Sequence, residues 1–285
     1  MQCMEVWGGN RAANAGVVMP GLDAWVYCEP HGGSESGGDV HYVSSCASGR
    51  ITRFLLADVR GHGEPVSEIA ISLRNILRRH INLIDQTTVV EAINEEFKHL
   101  HEVGMLATAV AGTFFLPRRT LTLSNAGHPP PFVYRQRTRS WEVLETQPAD
   151  RPTTKPTSAA NIPLGILARA HWEKIELPLR WGDMVLIFTD SLIEVPTGDG
   201  DEEQLGMERL LGIVRGLDAG RPAELIAGLL EGIRAETSTA RFDDDTSVLL
   251  LQANEVSTRL ADNLLAPFRY LGDLLRLPSS EPATS

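Results

Sequence analysis

The chain has 285 residues, 42% hydrophobic and 22% charged, which suits one substantial globular domain. Its 26 basic against 37 acidic residues give a formal net charge of -11, arguing against nucleic acid or anionic membrane as the main partner. Cys3, Cys28 and Cys46 are odd in number and lack a CxxC pair, which argues against a disulfide framework and a structural zinc site and fits a reducing, cytoplasmic setting. No apolar run approaches the roughly 20 residues that span a bilayer, and the start, MQCMEVWGGN, lacks the charged and apolar regions of a signal peptide.

In chain order, residues 1–20 read as an N-terminal extension, and GLDAWVY begins the first strand of a domain expected over 21–253. GGDVHYVSSC opens a second strand on Asp39, and RITRFLLAD delivers Asp58 at the end of a third. From Glu64 to about Ile84, Ile69, Leu73, Ile76, Leu77 and Ile81 recur at three and four, the spacing of one helical face. Residues 88–102 repeat it with Val89, Ile93, Phe97 and Leu100, ahead of a stop at Gly104. MLATAVAGTFFL, LTLSNAG and PFVYR read as short antiparallel strands. Four prolines among small polar residues predict an exposed loop over 145–163.

WEKIELPL and MVLIF read as further strands, the latter running into Asp190. Helical periodicity returns in MERLLGIVRGL and AELIAGLLEGIRAE, and RFDDDTSVLLLQ places three aspartates at the entry of an apolar strand. Strands, two helices, many strands, two helices and one strand predict an α+β fold of layered, mainly antiparallel sheets flanked by helices.

Asp39, Asp58, Asp190 and the Asp243–Asp245 cluster all stand where an apolar strand begins or ends. One such aspartate is ordinarily a turn cap. Four in one layered sheet system form an acidic pocket if the strand ends converge, and uncompensated carboxylates held that close repel one another. Oxygen donors without clustered His or Cys suit hard ions such as Mg²⁺ or Mn²⁺.

GGD at 37–39, ADVRGHG at 57–63, NAGHPPP at 125–131, PLG at 163–165, GDMVLIFTDSLIE at 182–194 and DDDT at 243–246 occur in an order that resembles SpoIIE-type serine/threonine phosphatases. These form the bacterial branch of the metal-dependent, protein phosphatase 2C-like (PPM) family. The resemblance implies an α/β-β/α sandwich holding two Mn²⁺ or Mg²⁺ ions, and hydrolysis of phosphoserine or phosphothreonine by a hydroxide bridging the two metals. By motif, Asp58 resembles the bridging carboxylate with the Val59 backbone carbonyl beside it. Asp39 resembles the ligand on one side, and Asp190 and Asp243 those of the other ion, with Asp244 the fallback for Asp243. The proton donor to the leaving oxygen is left between His62 and metal-bound water. One departure stands out: the family commonly has glycine where this chain has Ser191.

The resemblance also implies a partner-switching role, with a phosphorylated anti-sigma-antagonist-type domain as substrate. The stretch before residue 20 is too short for a sensor domain, so regulation is expected from a separate protein or from the tail. In that tail, 254–285, Leu260, Leu264, Phe268, Leu271 and Leu275 make an amphipathic stripe suited to docking on its own domain, to a homodimer or to a regulator. Arg53, Arg60 and Arg151 are candidates to meet a phosphoprotein. The competing reading is a binding or scaffold module that keeps the fold without turnover.

Overall fold

The computed structural model describes residues 3–46, 48–61, 63–100, 104–144, 161–168, 170–197, 204–237 and 242–257. In chain order these form β1 (Cys3–Gly9), β2 (Ala13–Met19), β3 (Leu22–Glu29), β4 (Asp39–Cys46) and β5 (Ile51–Val59), then α1 (Glu64–His80) and α2 (Gln86–Leu100). A run of strands follows: β6 (Ala107–Phe115), β7 (Thr120–Ala126), β8 (Phe132–Arg135), β9 (Ser140–Val143), β10 (Ile175–Pro178) and β11 (Met184–Phe188). The chain then adds α3 (Gly206–Gly216), α4 (Pro222–Glu236) and β12 (Thr246–Ala253).

Two six-stranded sheets result, one ordered β1-β4-β5-β6-β7-β10 and the other β2-β3-β12-β11-β8-β9. Every named strand pair is antiparallel. Strands whose two faces are both covered read as unbroken apolar runs, and alternate residues serve alternate layers. On β5, Leu55, Ala57 and Val59 pack with α1 and α2, whereas Phe54 and Leu56 enter the space between the sheets. On β12, Val248 and Leu250 meet α3 and α4, whereas Leu249 and Leu251 turn inward. Three apolar layers therefore separate helices, sheet, sheet and helices: the α/β-β/α sandwich, α+β in class.

Several boundaries differ from the sequence reading. The split at residue 20 does not fall at a gap in the fold, because β1 pairs with β4 and β2 with β3, making residues 3–19 edge strands of the two sheets. Helix α2 begins at Gln86 because the Asp85 carboxylate accepts the Thr88 backbone N–H at 3.0 Å, an N-cap that periodicity does not reveal. Helix α1 stops at His80, and Ile84 is 91% exposed. Strand β9, which alternates polar and apolar residues over only four positions, is not among the strands read from the sequence, and its pairing with β8 defines it. Residues 145–160 of the expected loop and 258–285 of the expected tail lie outside the described residues. No helix among the described residues is long and apolar enough to cross a membrane.

Candidate functional site

Strand parity places the polar residues. On β4, Val40 and Tyr42 face the helices and Val43 faces inward, so Asp39 and His41 share the face between the sheets. On β5, Asp58 follows Phe54 and Leu56 on that same inward face. From the opposite sheet, Cys28 ends the inward row of β3, Ser247 begins that of β12, and Thr189 continues Val185 and Ile187 beyond β11. All six lie at one end of the inter-sheet space, where the apolar layer gives way to polar groups.

The closest constraint is register: Asp39 pairs directly with Asp58 across β4 and β5. Like charges directly opposite each other destabilise a strand pair. Burial is the first cause holding the Asp39 carboxyl well above its ordinary range, followed by the Asp58 charge. Burial also pushes Asp58 up to about 7, with Asp190, Asp244, Asp245 and Glu194 adding to the shift. Asp190, in the single turn after β11, is raised by burial and then by Asp244. Glu194, one turn further on, is raised by burial, Asp190 and Asp244. The carboxylates from four chain segments thus act on one another in one acidic mouth.

Asp39 is held from the facing sheet. Thr189 Oγ1 donates to Asp39 Oδ2 at 3.0 Å and accepts the Ser247 backbone N–H at 2.9 Å. Ser191 Oγ lies 3.2 Å from the same Thr189 oxygen, and Ser191 is buried. Beneath them, Cys28 Sγ meets His41 Nδ1 at 3.1 Å and the Ser247 hydroxyl at 3.2 Å. Burial pushes the Cys28 thiol up to about 12 and the His41 imidazole down to about 4, so the floor of the site is electrically neutral near pH 7.

The glycines of GGD have separate reasons. A Cβ on Gly37 would lie 2.3 Å from the Asp245 carboxylate, and one on Gly38 would lie 2.8 Å from the Val59 carbonyl oxygen. Close approach brings the Val59 carbonyl to the turn that carries Asp39, and the Val59 N–H donates to the Gly38 carbonyl at 3.3 Å. Asp245, buried, accepts the His31 N–H at 2.6 Å and the Gly38 N–H at 2.5 Å, pinning that turn to the start of β12.

In the triple aspartate, Asp243 and Asp244 are both exposed, but of the two only Asp244 is among the charges acting most strongly on Asp58 and Asp190. His62 lies outside the described residues, between Gly61 and Gly63, whose φ values of 110° and 93° suit glycine. Asn125 closes the NAGHPPP turn by bonding the His128 backbone twice, at 2.8 Å each. His128 Nδ1 pairs with Thr108 Oγ1 at 2.9 Å, and burial pushes its pKa down to about 3, so it is neutral at pH 7. Arg53 is buried and bonded to Thr113 Oγ1 at 3.1 Å and the Leu83 carbonyl, which removes it from any phosphoprotein contact. Arg60 is exposed, and Arg151 lies outside the described residues. Sequence reasoning overlooked Thr189, Ser247 and Glu194 and gave Asp245 no role beyond its place in the acidic cluster, although inward parity in TSVLLLQ was a usable signal for Ser247.

The model of the family described as Stage II sporulation protein E (SpoIIE) matches residues 48–254, most of the chain. This chain belongs to the SpoIIE family. Asp39 lies upstream of the matched span, and the fold brings it opposite Asp58 by strand register. Phosphoserine phosphatase RsbU of Bacillus subtilis (strain 168) is 24% identical over 180 residues, covering 62% of this chain and 48% of RsbU. The chain thus spans about half the length of that curated relative. The solved RsbU and RsbW domains of Rv1364c from Mycobacterium tuberculosis superpose with a TM-score of 0.65 at 23% identity, covering 92% of this chain and 72% of that one. The catalytic domain of serine threonine protein phosphatase PstP, solved in complex with 2 manganese ions, gives 0.55 at 17% identity, with 82% and 99% covered. At these identities the superpositions establish the SpoIIE fold as a PP2C-type sandwich.

Among the described residues, no group of three or more His, Cys, Asp or Glu side chains is gathered closely enough to hold a metal ion. The donor set nevertheless fits hard divalent cations. Its carboxylates are oxygen-only, and burial first and neighbouring acids second raise the pKa values of Asp39, Asp58 and Asp190, a cost of ionisation that a bound cation offsets.

Proposed function

We propose that this chain is a metal-dependent protein serine/threonine phosphatase that removes phosphate from a regulatory phosphoprotein in a partner-switching pathway. The observation that carries this reading is the cross-strand pairing of Asp39 with Asp58, with Asp190 and Asp244 acting on the same buried charge.

Asp58 and the Val59 carbonyl are assigned to the centre of the site, Asp39 to one cation, and Asp190 with Asp244 to the other. Asp244 takes the place first given to Asp243 because its charge reaches both Asp58 and Asp190. Two Mn²⁺ or Mg²⁺ ions, when bound, supply charge neutralisation and activation of water for direct attack on phosphorus. The chain's own groups orient the acids: Thr189 and Ser247 hold Asp39, and Asp245 pins the turn that presents it. Neutral His41 and Cys28 leave the acids facing an uncharged floor, so neither of these two groups competes with a metal ion for them. His62 keeps its candidacy as proton donor to the leaving serine oxygen.

A groove of about 250 Å³ opens beside Asp244, lined among others by His31, Gly32, Gly33, Arg234 and Phe242. It is the approach assigned to the substrate's phosphorylated segment, and the family resemblance is what suggests an anti-sigma-antagonist-type domain as that substrate. Regulator or homodimer contact through 254–285 belongs to the same reading, as does a cytoplasmic location. Phosphate release from a phosphoserine protein, with and without Mn²⁺, tests it. Metal-dependent turnover abolished by Asp58→Asn and by Asp190→Asn is expected, and silence at every metal concentration favours a binding module instead.

A further inference from the structure

The hydroxyl of Thr189 has one hydrogen to donate and two lone pairs with which to accept. The Ser247 backbone N–H at 2.9 Å occupies one lone pair, and the return bond from the Thr189 N–H to the Ser247 carbonyl at 3.0 Å fixes the backbone beneath it. Two oxygens compete for the single hydrogen: Asp39 Oδ2 at 3.0 Å and the Ser247 carbonyl at 3.4 Å. The Asp39 oxygen is the nearer of the two, within ordinary hydroxyl-to-oxygen range of the donor, and it takes the hydrogen. Thr189 therefore has no hydrogen left for Ser191, whose Oγ stands 3.2 Å away, and Ser191 must be the donor into the remaining lone pair.

We propose that Ser191 is a positioning residue of this site: its hydroxyl donates to Thr189, which donates to Asp39, forming a two-hydroxyl relay that reaches from one sheet to the other and fixes the Asp39 carboxylate. This deepens the metal-dependent reading and rests on it. The three residues are 6%, 0% and 4% exposed, so water offers little substitute for a lost partner. Each hydroxyl that accepts a bond becomes a stronger donor, so occupation of the second Thr189 lone pair tightens its grip on Asp39. At the position where the resembling sequences commonly carry glycine, this chain carries the outer end of that relay. The serine is thus an added support for the aspartate in the facing sheet, held in a buried position.

The test is Mn²⁺ binding to the full chain without substrate, followed by titration calorimetry and by the electron paramagnetic resonance of free Mn²⁺, alongside the metal dependence of phosphate release. Partners that orient metal ligands typically contribute about 10–100-fold to affinity, so Thr189→Val is expected to weaken binding by roughly 10-fold or more, with Thr189→Ser restoring most of it. Ser191→Ala is expected to weaken binding a few-fold when Thr189 is present and to change nothing further in the Thr189→Val background, because the relay is then already cut. Wild-type affinity in Thr189→Val, or independent multiplicative losses from the two changes, overturns the relay while leaving the phosphatase reading intact. Failure of the unaltered protein to bind Mn²⁺ overturns both.

Discussion

Asp39 and Asp58 occupy directly opposed positions in the antiparallel register of β4 and β5, so the hydrogen bonding that builds the sheet also brings two carboxylates together. Slipping the register by one residue would relieve them but would turn every inward side chain of the strand onto the wrong layer. Tyr42, Leu55 and Leu56, all fully buried, hold the pairing in place. Core packing thereby maintains an electrostatic strain at the site.

That strain has a defined pH dependence. Because the Asp58 pKa is raised from 3.8 to about 7 in the folded metal-free protein, its favourable contribution is fully present below the unfolded value near 4 and is lost as pH rises through about 7. Asp58→Asn is expected to match the unaltered metal-free protein in thermal midpoint near pH 4 and to exceed it increasingly toward pH 8, by about 1 kcal/mol on the scale of a relieved like-charge pair. Thermal unfolding of both proteins in chelator across that range measures it. A gap that stays constant or reverses would contradict the strain.

The triple aspartate is resolved by comparing single variants. Asp244→Asn is expected to lower Mn²⁺ affinity and phosphate release strongly, because its charge acts on both Asp58 and Asp190, whereas Asp243→Asn is expected to leave both within about two-fold, the range of an exposed charge outside the site. Asp245→Asn should instead act on stability, since its carboxylate accepts two backbone N–H groups in a buried position. Equal losses from Asp243 and Asp244 would return Asp243 to the ligand set.

At Gly38, an added methyl meets the Val59 carbonyl oxygen at 2.8 Å and Val66 Cγ1 at 2.9 Å. The backbone oxygen cannot swing aside as a side chain can, so Gly38→Ala is expected to cost roughly 1–3 kcal/mol of stability. It should also impair Mn²⁺ binding, because the atom displaced is the carbonyl assigned to the metal centre. Urea unfolding and calorimetry on one preparation test both effects, and a stable variant with unchanged Mn²⁺ affinity would count against the Val59 assignment.

Cys28 lies beside the site but is expected to be chemically silent. Its thiol is buried and pushed up to about 12, leaving a negligible thiolate fraction near neutral pH. Native protein treated with iodoacetamide at pH 8 should remain unlabelled at Cys28 by mass spectrometry, with labelling appearing only on unfolding. Rapid native labelling would show the Cys28–His41 pair to be an activated one.

Composition, periodicity and motif order were enough to define the α+β class, the four helices, most of the strands and the family resemblance. These properties are local. An apolar residue at every third or fourth position declares a helix face, and an uninterrupted run such as MVLIF declares a strand covered on both sides. The acidic residues were legible for the same reason, each ending or opening such a run. The tertiary structure alone decided which of them meet. Asp39 faces Asp58 because of strand register, Thr189 reaches Asp39 because two sheets pack face to face, and Asp245 rather than its two neighbours bonds the turn before Asp39 because it is the one buried at the start of β12. Residues 3–19 joined the sheets for a similar reason: an edge strand is defined by the neighbour it bonds to, and that neighbour is distant in sequence. Local pattern records what each segment prefers to bury, whereas the contacts that orient a carboxylate arise only when separate segments share one interior.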